Sequence, residues 1–456
     1  MSLFRKSHPL DLTAGTTTLV LAVVALAISA YSNWLGVHVS LYTADASSRI
    51  SPFETITFRF SQAVGTQDVQ NELTMLPAVP GKFDWQNDHT LLFIPSSPYP
   101  QNVTVHLGRS RIGIGGVWLR QDVNWKLSVR QPEIVYMSYS NPQRELMAIP
   151  PTGGKPHQLT NTGGKIFDFD TSPIGDRIVY SIANKNNGLD LWLVDRDGQN
   201  THRLLDCGAD LCSSPAWSPD GKLIAYNRQP AGLTPAAPPG APRLRIVDAT
   251  TSVDRPVFSD SQTIGSGALW SPDGNWLASY DGVAGQIRVV NTISGQQVLL
   301  PSTLGLLGSW SPDSAYLIYP DPFTDSLGTR TVLYRADFKS GEVGAFIGKD
   351  SDPSDYDFGN PAWSPDKTDI MLDLRINPSE PDRELWLYRP ATMDGILIAQ
   401  EMGYSYDYFR WDPWGVHLVV QVAELNRPFS PQIDVWQSGQ SLKKIADNGM
   451  FPHWLP

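Results

Sequence analysis

Charge is missing where a soluble surface needs it. Between Asp11 and Asp45 the chain has no Asp, Glu, Lys or Arg. An uncharged stretch of that length excludes a solvated N-terminal arm. Cysteine is scarce, with two residues in 456, which excludes a disulfide scaffold and a cysteine-rich metal site. Basic charge is in deficit: the net charge is -11 and the isoelectric point near 5.2, against the basic face that nucleic-acid binding requires. The eight histidines are scattered, with no pair at metal-ligand spacing. No Gly-x-Ser-x-Gly elbow is followed by acidic and histidine partners. No Ser-x-Asp-x-Gly-x-Thr-Trp repeat of the sialidase kind is present, nor a paired-carboxylate motif.

The sequence has turns and tryptophan instead. It carries 37 Gly, 37 Pro and 15 Trp, which suits an all-β chain of many short strands. One stretch, Ser-Pro-Ala-Trp-Ser-Pro-Asp-Gly-Lys-Leu-Ile-Ala-Tyr from Ser214 to Tyr226, returns along the chain. Trp-Ser-Pro-Asp recurs at Trp270, Trp310 and Trp363, Trp411 opens a Trp-Asp-Pro variant, and Thr171 stands in a worn copy. The repeat prolines are 173, 219, 272, 312, 365 and 413, at spacings of the order expected for propeller blades, roughly 40–50 residues. Within a repeat, the segment ending in Trp is a strand and Pro-Asp-Gly is a turn. Pro presets φ, Asp bonds back to nearby amides, and Gly accepts positive φ. The apolar run that follows is the second strand of a hairpin. A third alternating strand, such as Leu191-Trp-Leu-Val194 or Leu385-Trp-Leu-Tyr388, and a shorter fourth complete a blade.

Glu133-Ile-Val-Tyr136 looks like a second strand without a first. Phe451-Pro-His-Trp454 looks like a first strand without a second. Joined, they predict seven blades closed by the C-terminus, which leaves no open edge at the seam. Trp-Ser-Pro-Asp-Gly followed by an apolar strand resembles the TolB-type, WD-like propeller family over about residues 130–456. The resemblance implies a protein-binding scaffold. Related propellers precede the hydrolase domain of prolyl-oligopeptidase-like peptidases, and that catalytic half is not recognisable here.

Two segments precede the propeller. Residues 13–37 are predicted as a transmembrane signal anchor, with 1–12 as a cytoplasmic tail. The apolar stretch approaches the roughly 20 residues that span a bilayer, and Arg5 and Lys6 precede it. A cleaved signal peptide is the alternative. Either reading puts the bulk of the chain outside the cytoplasm, at the cell membrane. Over 44–129, Ser51-Pro-Phe-Glu-Thr-Ile-Thr-Phe-Arg-Phe-Ser61 alternates apolar and polar residues, as a half-buried strand does. Together with Phe83-Asp-Trp85 and Leu92-Phe-Ile-Pro95, it resembles bacterial Ig-like β-sandwiches, which are spacers or adhesive modules.

The candidate site residues each have a structural reading. Trp217, Trp270, Trp310, Trp363, Trp411 and Trp454 fit packing between blades, against an aromatic ligand lining. Asp220, Asp273, Asp313 and Asp366, with Asp412, fit turn formation, against a cation-binding ring. Asp350, Asp352, Asp355 and Asp357 are read as a solvated acidic loop, with Ca²⁺ as the alternative cofactor. Cys207 and Cys212 are expected to pair outside the cytoplasm. The loop from Gln229 to Pro242 is a partner contact or a plain connection. No catalytic residue, cofactor or enzymatic activity is expected. The predicted function is a membrane-anchored envelope scaffold for protein partners. A subunit of a larger membrane complex, or a propeller hydrolase or lyase on wall glycans or peptides, is the alternative.

Overall fold

The computed structural model describes residues 17–28, 31, 36–43, 49–139, 144–234, 237–326, 328–350, 356–376, 381–427 and 431–456. The chain divides into two compact units, Met1–Arg130 and Gln131–Pro456.

The first unit holds two four-stranded sheets. One contains Val39–Tyr42, Ile56–Phe60, Thr90–Pro95 and Gly81–Asn87; the other contains Arg49–Ile50, Val123–Val129, Asn102–Leu107 and Leu73–Leu76. Strand alternation decides what is buried. Ile56, Phe58 and Phe60 point inward while Arg59 faces out over Tyr42. Val103, Val105 and Leu107 do the same for the second sheet. Phe58 meets Trp125 edge-on at 5.8 Å, joining the sheets through the core.

The transmembrane expectation is corrected here. Residues 17–28 are helical. The twelve described in one run rise about 18 Å, against a hydrocarbon layer of about 30 Å, and Tyr31 is helical too. Parts of the predicted span, 13–16, 29–30 and 32–35, lie outside the described residues, as does the tail 1–12. No helix among the described residues is long and apolar enough to cross a membrane. The single-pass localisation, with its cytoplasmic N-terminus, falls with the helix.

The second unit is a β-propeller of seven four-stranded antiparallel blades. Blade one is completed by the C-terminus: Gly449–Leu455 pairs with Glu133–Ser138, followed outward by Leu146–Ile149 and His157–Gln158. The innermost strands of blades two to seven are Ile166–Thr171, Leu211–Trp217, Ser266–Trp270, Ser309–Trp310, Tyr356–Trp363 and Tyr404–Trp411. Each blade is apolar on both faces and buries them against its neighbours. Ala278, Ile287, Val289 and Leu300 of blade four pack on Trp310, Leu317, Tyr319 and Ala336 of blade five.

The turn between the first two strands needs a left-handed residue. Gly221 and Gly274 supply it at φ 67 and 73, without steric cost. Ser314 and Lys367 hold the same place in blades five and six at φ 59 and 68.

Candidate functional site

The repeat tryptophans form a hydrogen-bonded girdle. Each indole N–H in four blades donates to the carbonyl of the residue before the corresponding position of the preceding blade. Trp454 reaches Arg410 at 2.9 Å, Trp411 reaches Ala362 at 3.1 Å, Trp270 reaches Ala216 at 3.1 Å, and Trp310 reaches Leu269 at 3.4 Å. In blade two the Thr171 hydroxyl takes over, donating to the Trp454 carbonyl at 2.7 Å. The indole nitrogens of Trp217 and Trp363 are buried without a hydrogen-bond partner.

The repeat aspartates are not gathered into one cluster. Each is held inside its own turn. Oδ1 of Asp220, Asp273, Asp313 and Asp366 accepts from the serine two residues earlier and from the amide two residues later. These bonds hold the Asp313 carboxyl below its ordinary value, the Ser311 hydroxyl contributing most. Asp412 sits in the serine's place and accepts from Val416 N at 2.9 Å and from His417 Nδ1 at 2.8 Å. Of the acidic loop, Asp352 and Asp355 lie outside the described residues. Asp357 pairs with Arg375 at 3.6 Å. Among the described residues no cluster of three or more metal-ligating side chains occurs. Cys207 and Cys212 are joined in a disulfide, both buried against Trp217 and Tyr226. The loop 229–242 lies partly outside the described residues, and Leu233 in it is fully exposed.

Further ionisable groups with displaced titration lie on the inner strands and the strands behind them. Asp170 accepts from His453 Nδ1 at 2.9 Å and from Trp217 N at 2.8 Å, linking blades one, two and three. Burial and the nearby Arg410 guanidinium lower the His453 imidazole, against the pull of Asp170. Asp168 accepts from the Ser181 hydroxyl and from Ser214 N, yet burial still pushes its carboxyl up to about 6. Between blades six and seven, Asp373 accepts from Arg383 at 2.6 Å. Burial raises Asp373 to about 6; Arg383 opposes this and the charge of Asp407 adds to it. Asp407 is likewise raised by burial. Asp373 and Asp407 each keep one buried carboxylate oxygen without a donor. The result is an arc from Arg383 through Asp407, Arg410 and His453 to Asp170, carrying both signs of charge.

A bulge a few residues before the repeat Trp or Thr171, in every blade but the fifth, shapes the arc. The register slips between Ile166 and Asp168, Ser213 and Ala216, Ser266 and Leu269, Phe358 and Pro361, Asp407 and Arg410, and Met450 and His453. The slip turns the intervening residue out of the ladder. None of the arc residues was singled out in the sequence. The signal beside them is the residue three places before the repeat Trp, where Tyr408 and Phe451 stand in place of Ser214, Gly267, Leu307 and Asn360.

A separate cleft of about 610 Å³ opens between outer parts of blades one and two, lined by Thr160, Thr162, Tyr180 and Trp192 among others. The acid behind it, Glu145, is fully engaged by Thr160, Thr162 and Gly164.

No known family profile matches the chain. Solved structures do. TolB from Acinetobacter baumannii is 16% identical over 84% of this chain and 83% of that chain, with a TM-score of 0.44. An oligogalacturonate lyase in complex with manganese is 12% identical over 68% and 83%, at 0.48. A prolyl endopeptidase is 14% identical over 69% of this chain and 48% of that chain, at 0.51. At such identities the likeness shows the fold alone, a β-propeller. It also corrects the expectation that the chain is no enzyme. A prolyl endopeptidase stands among the structures that share this fold, so the architecture carries no such exclusion.

Proposed function

We propose that the second unit is a binding propeller that seats a segment of a polymer, peptide or glycan, at the axial end of its inner strands. The observation that supports this is the arc around Arg410. Its guanidinium is exposed on an innermost strand while its backbone carbonyl is tied to Trp454. Rigid backbone with exposed, mixed-charge side chains is what a binding site needs. The first unit, in this reading, is a bacterial Ig-like spacer. The test is capture of peptide and oligosaccharide arrays by the full-length chain, repeated with Arg410→Glu. Ligands retained by the wild type and lost by the variant support the reading. Ligands indifferent to the change remove it.

One observation favours a second reading, hydrolysis or elimination on such a polymer. Asp373 and Asp407 are carboxyls beside one arginine, and burial pushes both upward, Asp373 to about 6. Paired acids with displaced pKa values suit general acid and base roles. Turnover with an acid–base profile breaking near pH 6, and abolished by Asp407→Asn, supports it. Turnover unchanged by Asp407→Asn rejects it.

A further inference from the structure

Six of the seven inner strands carry a bulge, and its residues divide the axial channel into an aromatic wall and a wall without aromatic residues. In blades seven, one and two, which are neighbours, the bulge carries Tyr408, Phe451 and Phe167. In blades three and four it carries Ser214 and Gly267, in blade six Gly359 and the exposed Asn360, and the short inner strand of blade five has no bulge. Tyr408 and Phe167 are each 55% exposed. Both faces of an innermost strand are covered by adjacent blades, and its outer edge is paired with the second strand. An exposed side chain there faces the axis. The Tyr408 and Phe451 rings touch edge-to-face at 4.8 Å across the blade seven–blade one boundary. They are held at φ 47 and 54, a region costly for bulky residues and usually kept at functional sites.

We propose that Tyr408, Phe451 and Phe167 form a stacking platform for the sugar rings of a neutral oligosaccharide threaded along the channel. The inference rests on the channel-binding reading above and names its ligand class. Three arguments choose a saccharide. Aromatic faces are electron-rich and attract the weakly positive C–H face of a pyranose. The polar groups beside them, Arg410 and Asp407 of opposite sign and the imidazole of His453 with Asp170, both donate and accept, which matches hydroxyl groups and disfavours a ligand of strong charge. An extended peptide would need free backbone groups to pair with. Here those groups are taken. The carbonyls of Arg410, Ala362, Ala216 and Leu269 accept from indoles. The amides of Ser214, Trp217, Trp363 and Phe451 donate to Asp168, Asp170, Ser309 and Gln421.

The experiment is calorimetric titration of the full-length chain with cellohexaose, chitohexaose and mannohexaose. At least one is expected to bind. Tyr408→Gly and Phe167→Ala should each weaken it by about tenfold, the scale of one lost stacking contact, while Tyr408→Phe retains it. Tyr408→Gly relieves the left-handed backbone, so it folds without the ring; an unchanged melting temperature checks this. No binding of any hexaose at millimolar concentration overturns the proposal. Hexaose binding untouched by Tyr408→Gly and Phe167→Ala overturns it too. If peptides bind in an Arg410-dependent way and hexaoses do not, the saccharide falls and the channel reading stands. If nothing bound depends on Arg410, Tyr408 or Phe167, both fall.

Discussion

A single buried carboxyl can make this protein more stable in mild acid. Asp434 is packed in blade seven with one oxygen unpartnered. Burial raises its pKa to about 6, with Lys444 opposing. A raised acid stabilises the fold fully below its unfolded value, 3.8, and that contribution is lost as pH rises through about 6. Asp434→Asn avoids the loss. Its melting temperature relative to wild type should climb between pH 4 and 6 and then stay level; a flat difference across that range refutes the assignment. The tryptophan girdle gives a second residue-scale contrast. Trp411→Phe removes a donor and strands the Ala362 carbonyl, whereas Trp217→Phe removes a nitrogen that had no partner. Urea denaturation should find Trp411→Phe the costlier by about 1–2 kcal/mol.

At the scale of the element, the inner-strand bulge does two jobs. It ends the ladder at the channel, and it lets the strand behind reach through. In blade six, Asp373 lies against Gly359, where an added Cβ would come within 2.4 Å of the carboxylate carbon. Arg383 and Asn360 N hold that carboxylate in place. Gly359→Ala should therefore destabilise by about 1–3 kcal/mol, the usual cost of overpacking. Gly344→Ala, with open space around its Cβ, should cost much less. Equal losses in denaturant titrations would show that Asp373 yields freely.

The whole ring depends on its last strand. Residues 449–455 supply blade one with its innermost strand, the Trp454 bond to blade seven and the His453 bond to blade two. Deleting residues 449–456 exposes the edge of Glu133–Ser138 and opens the seam. Open strand edges pair with other chains. The truncated protein should lose its cooperative melting and aggregate in size-exclusion chromatography. A monomeric, cooperative truncation would mean that six blades close by themselves.

The repeat was legible in the sequence because it is local chemistry. Trp-Ser-Pro-Asp-Gly spells a strand, a turn and a strand, and Phe451-Pro-His-Trp454 declares a partner missing beside it. The same local reading went astray at the N-terminus. Hydropathy there measures apolar length, and no helix among the described residues is long and apolar enough to cross a membrane. The arc at the channel was not legible. Asp170 meets His453 across 283 positions of chain, and nothing in either neighbourhood names the other. Only ring closure brings Tyr408, Phe451 and Phe167 to one wall, because the bulge turns each residue toward an axis that no single repeat contains. Sequence by itself determined the blade; tertiary structure decided the channel, since a blade's contacts lie within about fifty residues and a channel's lie between blades.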